Sequence, residues 1–246
     1  MIKKLITFPT NSRKLLRGSF QLREREYRWA WEFLSDCTRI LDVGCGTGTF
    51  LKKAPERIVG IDLNPENVAY CQAAKLDARP GSALKIPFPD NTFEGLLCSH
   101  VMQVFHPDQA ICFLREASRV VKPGGVVVLS NLTDSARFFQ HPEVVKPYPP
   151  DALWSLCNQI RIGATSPMYA APPPLVQEAI RLRYAPLLDI QSRTDPVLEG
   201  RCQSLRLLQL RFWIVNPFSY DAYTVKLRNQ KAADAPPAQS AAAYSG

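Results

Sequence analysis

"ILDVGCGTGTF", residues 40–50, decides how this chain is read. Three apolar residues around one aspartate, Asp42, run straight into Gly44, Gly46 and Gly48. A continuous apolar run of that length is a strand buried on both faces, as in a parallel sheet. Glycines at its end let backbone pass close to a ligand where side chains would obstruct it. Amides exposed where such a strand turns into a helix favour a polar or anionic group.

Outward from this turn, apolar runs alternate with helical patterns. "RILDVGC" (39–45) is the first strand and "TFLKKA" (49–54) is expected to open a short helix. "RIVGIDL" (57–63) is a second strand. "PENVAYCQAAKL" (65–76) is a helix, with Asn64 as N-cap and Pro65 at its first position. "ARPGSA" (78–83), "FEGLLCS" (93–99) and "GVVVLSNL" (125–132) supply three more strands. The helix "PDQAICFLREASRVV" (107–121) is stopped by Lys122-Pro123-Gly124-Gly125. This is an α/β pattern: a mostly parallel sheet covered on both faces.

Towards the ends the signal is weaker. "SFQLREREYRWAWEFLS" (19–35) reads as a helix. A loop followed by a helix from Pro149 or Pro150 is expected, then a Pro-rich loop and a helix in "SPMYAAPPPLVQEAI" (166–180). "LLDIQSR" (187–193) reads as a sixth strand, and "RFWIVNPFSYDAYTVKLR" (211–228) as one or two more. The resulting divisions are a basic helical arm (1–36), a ligand-binding core (37–132), a covering segment with the final strands (133–230) and a low-complexity, disordered tail (231–246).

Composition bounds the function. The chain has 246 residues and a net charge of +8, much of it in residues 1–28, where Lys3, Lys4, Arg13, Lys14, Arg17, Arg23, Arg25 and Arg28 face only Glu24 and Glu26. The favoured reading is a solvated helical arm; contact with anionic lipid stays open. Seven cysteines without a CxxC pair fit a reduced protein better than a disulfide framework. No Cys/His cluster suggests a metal. The first apolar run is too short for a signal peptide and none approaches a membrane span, so a cytoplasmic location is the default expectation.

A second carboxylate narrows the ligand. Asp62 ends the second strand, 20 residues after Asp42, where an acid can accept both hydroxyls of a ribose. Gly-x-Gly-x-Gly followed by Thr49 departs from the dinucleotide fingerprint, and Asp42 would repel a pyrophosphate. It would suit the ammonium of S-adenosylmethionine. "ILDVGCGTGTF", "VGIDLNPENV" (59–68), "ALKIPFPDNTFEGLLCS" (83–99) and "FLREASRVVKPGG" (113–125), in this order, resemble the class I S-adenosylmethionine-dependent methyltransferases, nearest the type-11 group that acts on small molecules.

That resemblance covers residues 38 to 132. It implies a Rossmann-like, doubly wound, mostly parallel seven-stranded sheet with a covering helical segment. By position, Asp42, Gly44, Cys45, Gly46 and Gly48 would line the methionine portion of the cofactor. Asp62 would hold the ribose and Leu63 would lie against the adenine, edged by Ser82, Ala83 and Leu84. Cys98, Ser99 and His100 would lie beneath the sulfonium. Ser82 stands where the family often has an aspartate that accepts the adenine amino group.

Methyl transfer needs a general base only when the acceptor keeps its proton. His100, His141 and Tyr148 are the candidates; His106 reads as a helix-entry residue. The family has no universal base. The acceptor is expected to meet residues 133–200, where Phe138, Phe139, Tyr148, Trp154, Met168 and Tyr169 accompany Arg161, Arg181 and Arg183. The favoured activity is O- or C-methylation of a small-molecule or lipid-like acceptor. An RNA methyltransferase and a non-catalytic interaction subunit are the alternatives. Nucleic acid is disfavoured because "NPFSY" (216–220) only partly resembles the amino-methylation motif and falls in the wrong place. Oligomeric state is not legible.

Overall fold

β1 (Ile40–Val43) is buried along its whole length and lies inside a seven-stranded sheet. The computed structural model describes residues 12–133, 143–158, 172–183 and 222–232, with backbone alone for residues 12–22. The other strands are β2 (Ile58–Asp62), β3 (Ala78–Pro80), β4 (Phe93–Ser99), β5 (Val121–Leu132), β6 (Leu175–Arg183) and β7 (Ala222–Asn229). Their order is β3-β2-β1-β4-β5-β7-β6. β1 pairs in parallel with β2 and β4, while β7 runs antiparallel to both β5 and β6. The strand order reverses between β1 and β4. A crevice opens at such a point, beyond the carboxyl ends of the strands.

Two apolar cores flank the sheet. Leu41, Val43, Leu96, Val127, Leu129, Tyr223 and Val225 face α3 (Pro107–Val120) and α4 (Pro150–Asn158). Ile40, Leu97, Val126 and Val128 face the other way, towards Ala30 of α1 (Ser12–Phe33) and Leu34 just past its end. α2 (Pro65–Ala73) starts as its sequence requires: Pro65 is the first residue and the Asn64 side chain accepts from Glu66 N at 2.9 Å. The Lys122-Pro123-Gly124-Gly125 stop is absorbed as an irregularity inside β5, where the pairing jumps from Phe93–Val121 to Gly95–Val126.

Several expectations are corrected. "TFLKKA" forms only a 3-10 turn, Leu51–Lys53, because Pro55 cannot continue a helix and holds Ala54 out of the helical conformation. "LVQEAI" is not a helix but most of β6. Its Gln, Glu and Ala favour a helix locally, yet the backbone pairs with β7 and Glu178 bridges across to Arg228 (2.6 Å) and Lys226 (3.1 Å). α1 is not a solvated arm from residue 23 onward: Glu26, Ala30 and Leu34 are buried against the sheet. The stretches 187–193 and 216–220 and the tail beyond Ala232 lie outside the described residues.

Candidate cofactor and acceptor site

Of the three glycines that open the argument, two serve packing and one leaves space. All three have positive φ (Gly44 73°, Gly46 53°, Gly48 73°). A methyl group at Gly44 would run into Val101 Cγ2, and one at Gly48 would meet Leu76 and Cys71 at 2.7 and 2.9 Å. At Gly46 nothing among the described residues lies within 4 Å. The turn is pinned to β2, since the Gly44 and Cys45 amides donate to Ile61 O at 2.8 and 3.0 Å. It is also pinned to Asp62, whose Oδ2 accepts from Gly46 N at 2.8 Å. The other Asp62 oxygen accepts from Asn64 N (2.8 Å) and Asn67 Nδ2 (3.3 Å), which fixes the carboxylate at the strand end.

Asp42 is the less ordinary acid. It is 3% exposed, and no described residue donates a hydrogen bond to it. Burial, and then the Asp62 charge, pushes its carboxyl up to about 8. An orphaned buried carboxylate beside an open backbone turn is a fit for a cationic ligand group. By strand alternation Asp42 shares the Ile40 face, the one that α1 covers. Tyr27 of α1 sits close by; burial, and then Asp42, raises its phenol pKa.

The remaining expected contacts divide. Leu63, just past Asp62, is 75% exposed, an apolar surface such as a flat ring covers. Ser82 accepts from Leu84 N at 3.2 Å, and the loop after it is held by Glu116, which accepts from Ile86 N at 2.8 Å. Arg119 secures that arm by bonding Glu116, Asp90 and the carbonyls of Ile86 and Phe88. Ala83 is buried in the core beside them. Cys45 and Cys98 bury their side chains in the cores, Cys45 against Gly60 and Cys98 towards α3, so each presents its backbone to a ligand. Ser99 is half-buried at the end of β4.

The base candidates also separate. Tyr148 is a core residue whose hydroxyl donates to Phe105 O at 2.9 Å, a structural commitment that removes it as a base. His106 leads α3, its amide donating to Gln109 Oε1 at 3.0 Å. His141 lies outside the described residues. His100 follows β4 with a φ of 60°, unusual for a residue with a Cβ, and its amide donates to Ser130 O at 2.8 Å. Its Nε2 lies 2.7 Å from Glu26 Oε2. Arg183 Nη1 lies 3.2 Å from the other oxygen of Glu26. Arg181 pairs with Glu32 and stacks over Phe33, so both described arginines expected near an acceptor bind α1 instead.

Sequence reading missed Glu26 and Tyr27, and gave Arg183 a different job. One signal was available: Glu26 falls four residues before Ala30 and eight before Leu34, on the buried stripe of α1.

The sheet order, with an acid and a glycine turn at the reversal point, defines the class I S-adenosylmethionine-dependent methyltransferase fold. Residues 41–129 match the methyltransferase domain family of the type-11 group, and the chain carries a domain of that family. The chain is 33% identical over 117 residues to a fatty-acid O-methyltransferase of Mycolicibacterium smegmatis, covering 43% of this chain and 40% of that protein. It is 30% identical over 110 residues to a ubiquinone biosynthesis O-methyltransferase of Azorhizobium caulinodans, covering 41% and 43%. The chain spans about half, or less, of the length of the curated relatives it matches. A methyltransferase structure from Archaeoglobus fulgidus shares the fold with a TM-score of 0.60 at 20% identity, covering 86% of this chain and 95% of that one. The N-methyltransferase NodS of Bradyrhizobium japonicum, solved with S-adenosyl-l-homocysteine, shares it at 0.55 and 17%, covering 85% and 87%. The cofactor of this family is S-adenosylmethionine. Among the described residues no helix is long and apolar enough to cross a membrane, and no group of side chains could hold a metal ion.

Proposed function

We propose that this chain transfers a methyl group from S-adenosylmethionine to a small-molecule or lipid-like acceptor, at oxygen in preference to carbon. The observation that carries the reading is Asp42, buried without a donor beside the open face of Gly46. Its carboxylate takes the ammonium of the methionine portion, and Gly44, Gly46 and Gly48 form the backbone wall. Asp62 takes the ribose hydroxyls, and Leu63 with Ser82 and Leu84 borders the adenine. The cofactor supplies an electrophilic methyl group and a good leaving group. The protein's own contribution is to align the acceptor and keep water out. α1 and the end of β6, which meet at Glu26 and Arg183, are the described elements that border the acceptor. The relatives named as O-methyltransferases of a fatty acid and of ubiquinone biosynthesis support an oily acceptor and an oxygen target.

Calorimetric titration with S-adenosylmethionine, for the wild type and Asp62→Ala, tests the cofactor site. Binding at about micromolar Kd, weakened ~10- to 100-fold in the variant, is expected from losing charge-assisted hydrogen bonds to the ribose. Absence of binding by the wild type overturns the assignment. Transfer of labelled methyl to palmitate or 4-nonylphenol then tests the acceptor class.

A further inference from the structure

Glu26 does not belong on an apolar helix stripe unless something inside requires it. It is 1% exposed, and the His100 side chain against it is 12% exposed. A carboxylate that deep is tolerated only with partners. It has two: His100 Nε2 at 2.7 Å on one oxygen and Arg183 Nη1 at 3.2 Å on the other. The three side chains come from α1, the turn after β4 and the end of β6.

With Glu26 ionised, the contact fixes which imidazole nitrogen carries the proton. An ionised carboxylate only accepts, so Nε2 must donate. Nδ1 of the neutral ring is then a bare acceptor, and no described residue donates to it. The strained φ of 60° holds His100 at this spot, directly past the strand whose end faces the cofactor crevice.

We propose that Glu26 and His100 form an acid–base dyad in which Nδ1 of His100 takes the proton of an acceptor hydroxyl, so that this site is built for alcohols or phenols protonated at neutral pH. The inference rests on the methyltransferase reading above and narrows its acceptor. In the step, the acceptor O–H proton passes to Nδ1 and an oxygen electron pair bonds the methyl carbon. The carbon–sulfur pair stays on sulfur, leaving a neutral thioether and an imidazolium. That imidazolium forms against Glu26, which is poised to stabilise it. His100 is the catalytic residue; Glu26 is a positioning residue, and Arg183 balances its charge.

The charged and titratable groups around the dyad are Arg183 from β6, Tyr27 beside Glu26 on α1, and Asp42 at the end of β1, the strand paired with β4. Ser130 of β5 contributes its carbonyl to the His100 amide. Removing the Glu26 charge therefore leaves the imidazolium facing Arg183 without a counter-charge, and the acid limb of the rate profile moves to lower pH.

Two measurements test this. Imidazole ¹⁵N spectra of the free protein at pH 8 read the tautomer without any acceptor. A proton on Nε2 and none on Nδ1 is expected, and a ring that keeps its proton on Nδ1 overturns the dyad. Methyl transfer to 4-nonylphenol, protonated in the assay, is then compared with transfer to palmitate, already ionised. In His100→Gln the phenol reaction should fall about 10²-fold while the palmitate reaction stays within about threefold. Glu26→Gln should fall less, with its acid limb displaced, and Glu26→Asp should restore part of the loss. Equal losses with both acceptors would mark a merely structural ion pair and sink the proposal. If neither compound is methylated by the wild type, the acceptor reading fails, whereas the tautomer still judges the dyad.

Discussion

Asp42 shows how one side chain sets function against stability. Its carboxyl is held up to about 8 by burial and by Asp62. In the unfolded chain it would ionise near the ordinary carboxylate value, so between those limits the native state holds a proton that the unfolded state does not. Stability from this group is therefore full in acid and declines as pH rises to about 8. Asp42→Asn should raise Tm by roughly 5 °C at pH 8 and change it little at pH 4, read by calorimetric melting. Cofactor binding at the proposed site runs the other way. The ammonium needs the ionised form, so affinity should weaken by up to about tenfold per unit as pH drops below about 8, with proton release on binding. Titrations in buffers of different ionisation enthalpy check this; in Asp42→Asn both the affinity and its pH dependence should vanish.

Gly46 and Gly48 make a matched pair at the same scale. Both have positive φ, which costs a side chain about 1–2 kcal/mol, but only Gly48 is enclosed. Gly46→Ala should fold with a loss near that cost and lose most cofactor affinity, because its methyl enters the open space. Gly48→Ala should lose a further ~1–3 kcal/mol by pressing Leu76 and Cys71. Urea unfolding midpoints beside cofactor titrations separate the two. From sequence the three glycines were alike; only their neighbours distinguish them.

At the scale of elements, the central strands and α2 and α3 were legible because a strand buried on both faces must be apolar throughout. β6 was not. It is an edge strand with charged residues on its open face, and its composition is that of a helix. The acid and glycine turn of the proposed cofactor site could be read for the same reason as β1, from contiguous residues. Glu26 and Arg183 could not be paired, since sheet order alone brings them together. α1 owes its close approach to Gly95, where a methyl group would meet Leu34 and Cys37 at 2.6 and 2.9 Å. Gly95→Ala should lift the end of α1, cost ~1–3 kcal/mol, and disturb the contact between Glu26 and His100 more than cofactor affinity. Hydrogen exchange across residues 23–34 and a Kd for S-adenosylmethionine would show whether the two effects separate.

At the scale of the whole molecule, the sheet divides by origin. Residues proposed to hold the cofactor all lie between Asp42 and Ser99, on strands that pair in parallel near the middle. The groups proposed for proton transfer combine that middle with both flanks of the chain: Glu26 before it and Arg183 after it. The arginine ends a strand that joins the sheet only through β7, the last strand in the described sequence.

The ion pair between Glu26 and Arg183 therefore has a consequence for synthesis on the ribosome. Glu26 emerges early and must wait for some 150 residues of further translation before its cation exists, and longer before β7 offers the edge on which β6 is seated. A nascent chain that has released β5 already holds every residue proposed for the cofactor, while its helix still carries an uncompensated acid on its oily side. Pairing of β6 with β7 supplies the missing cation, so the acid is compensated only after β7 has been made.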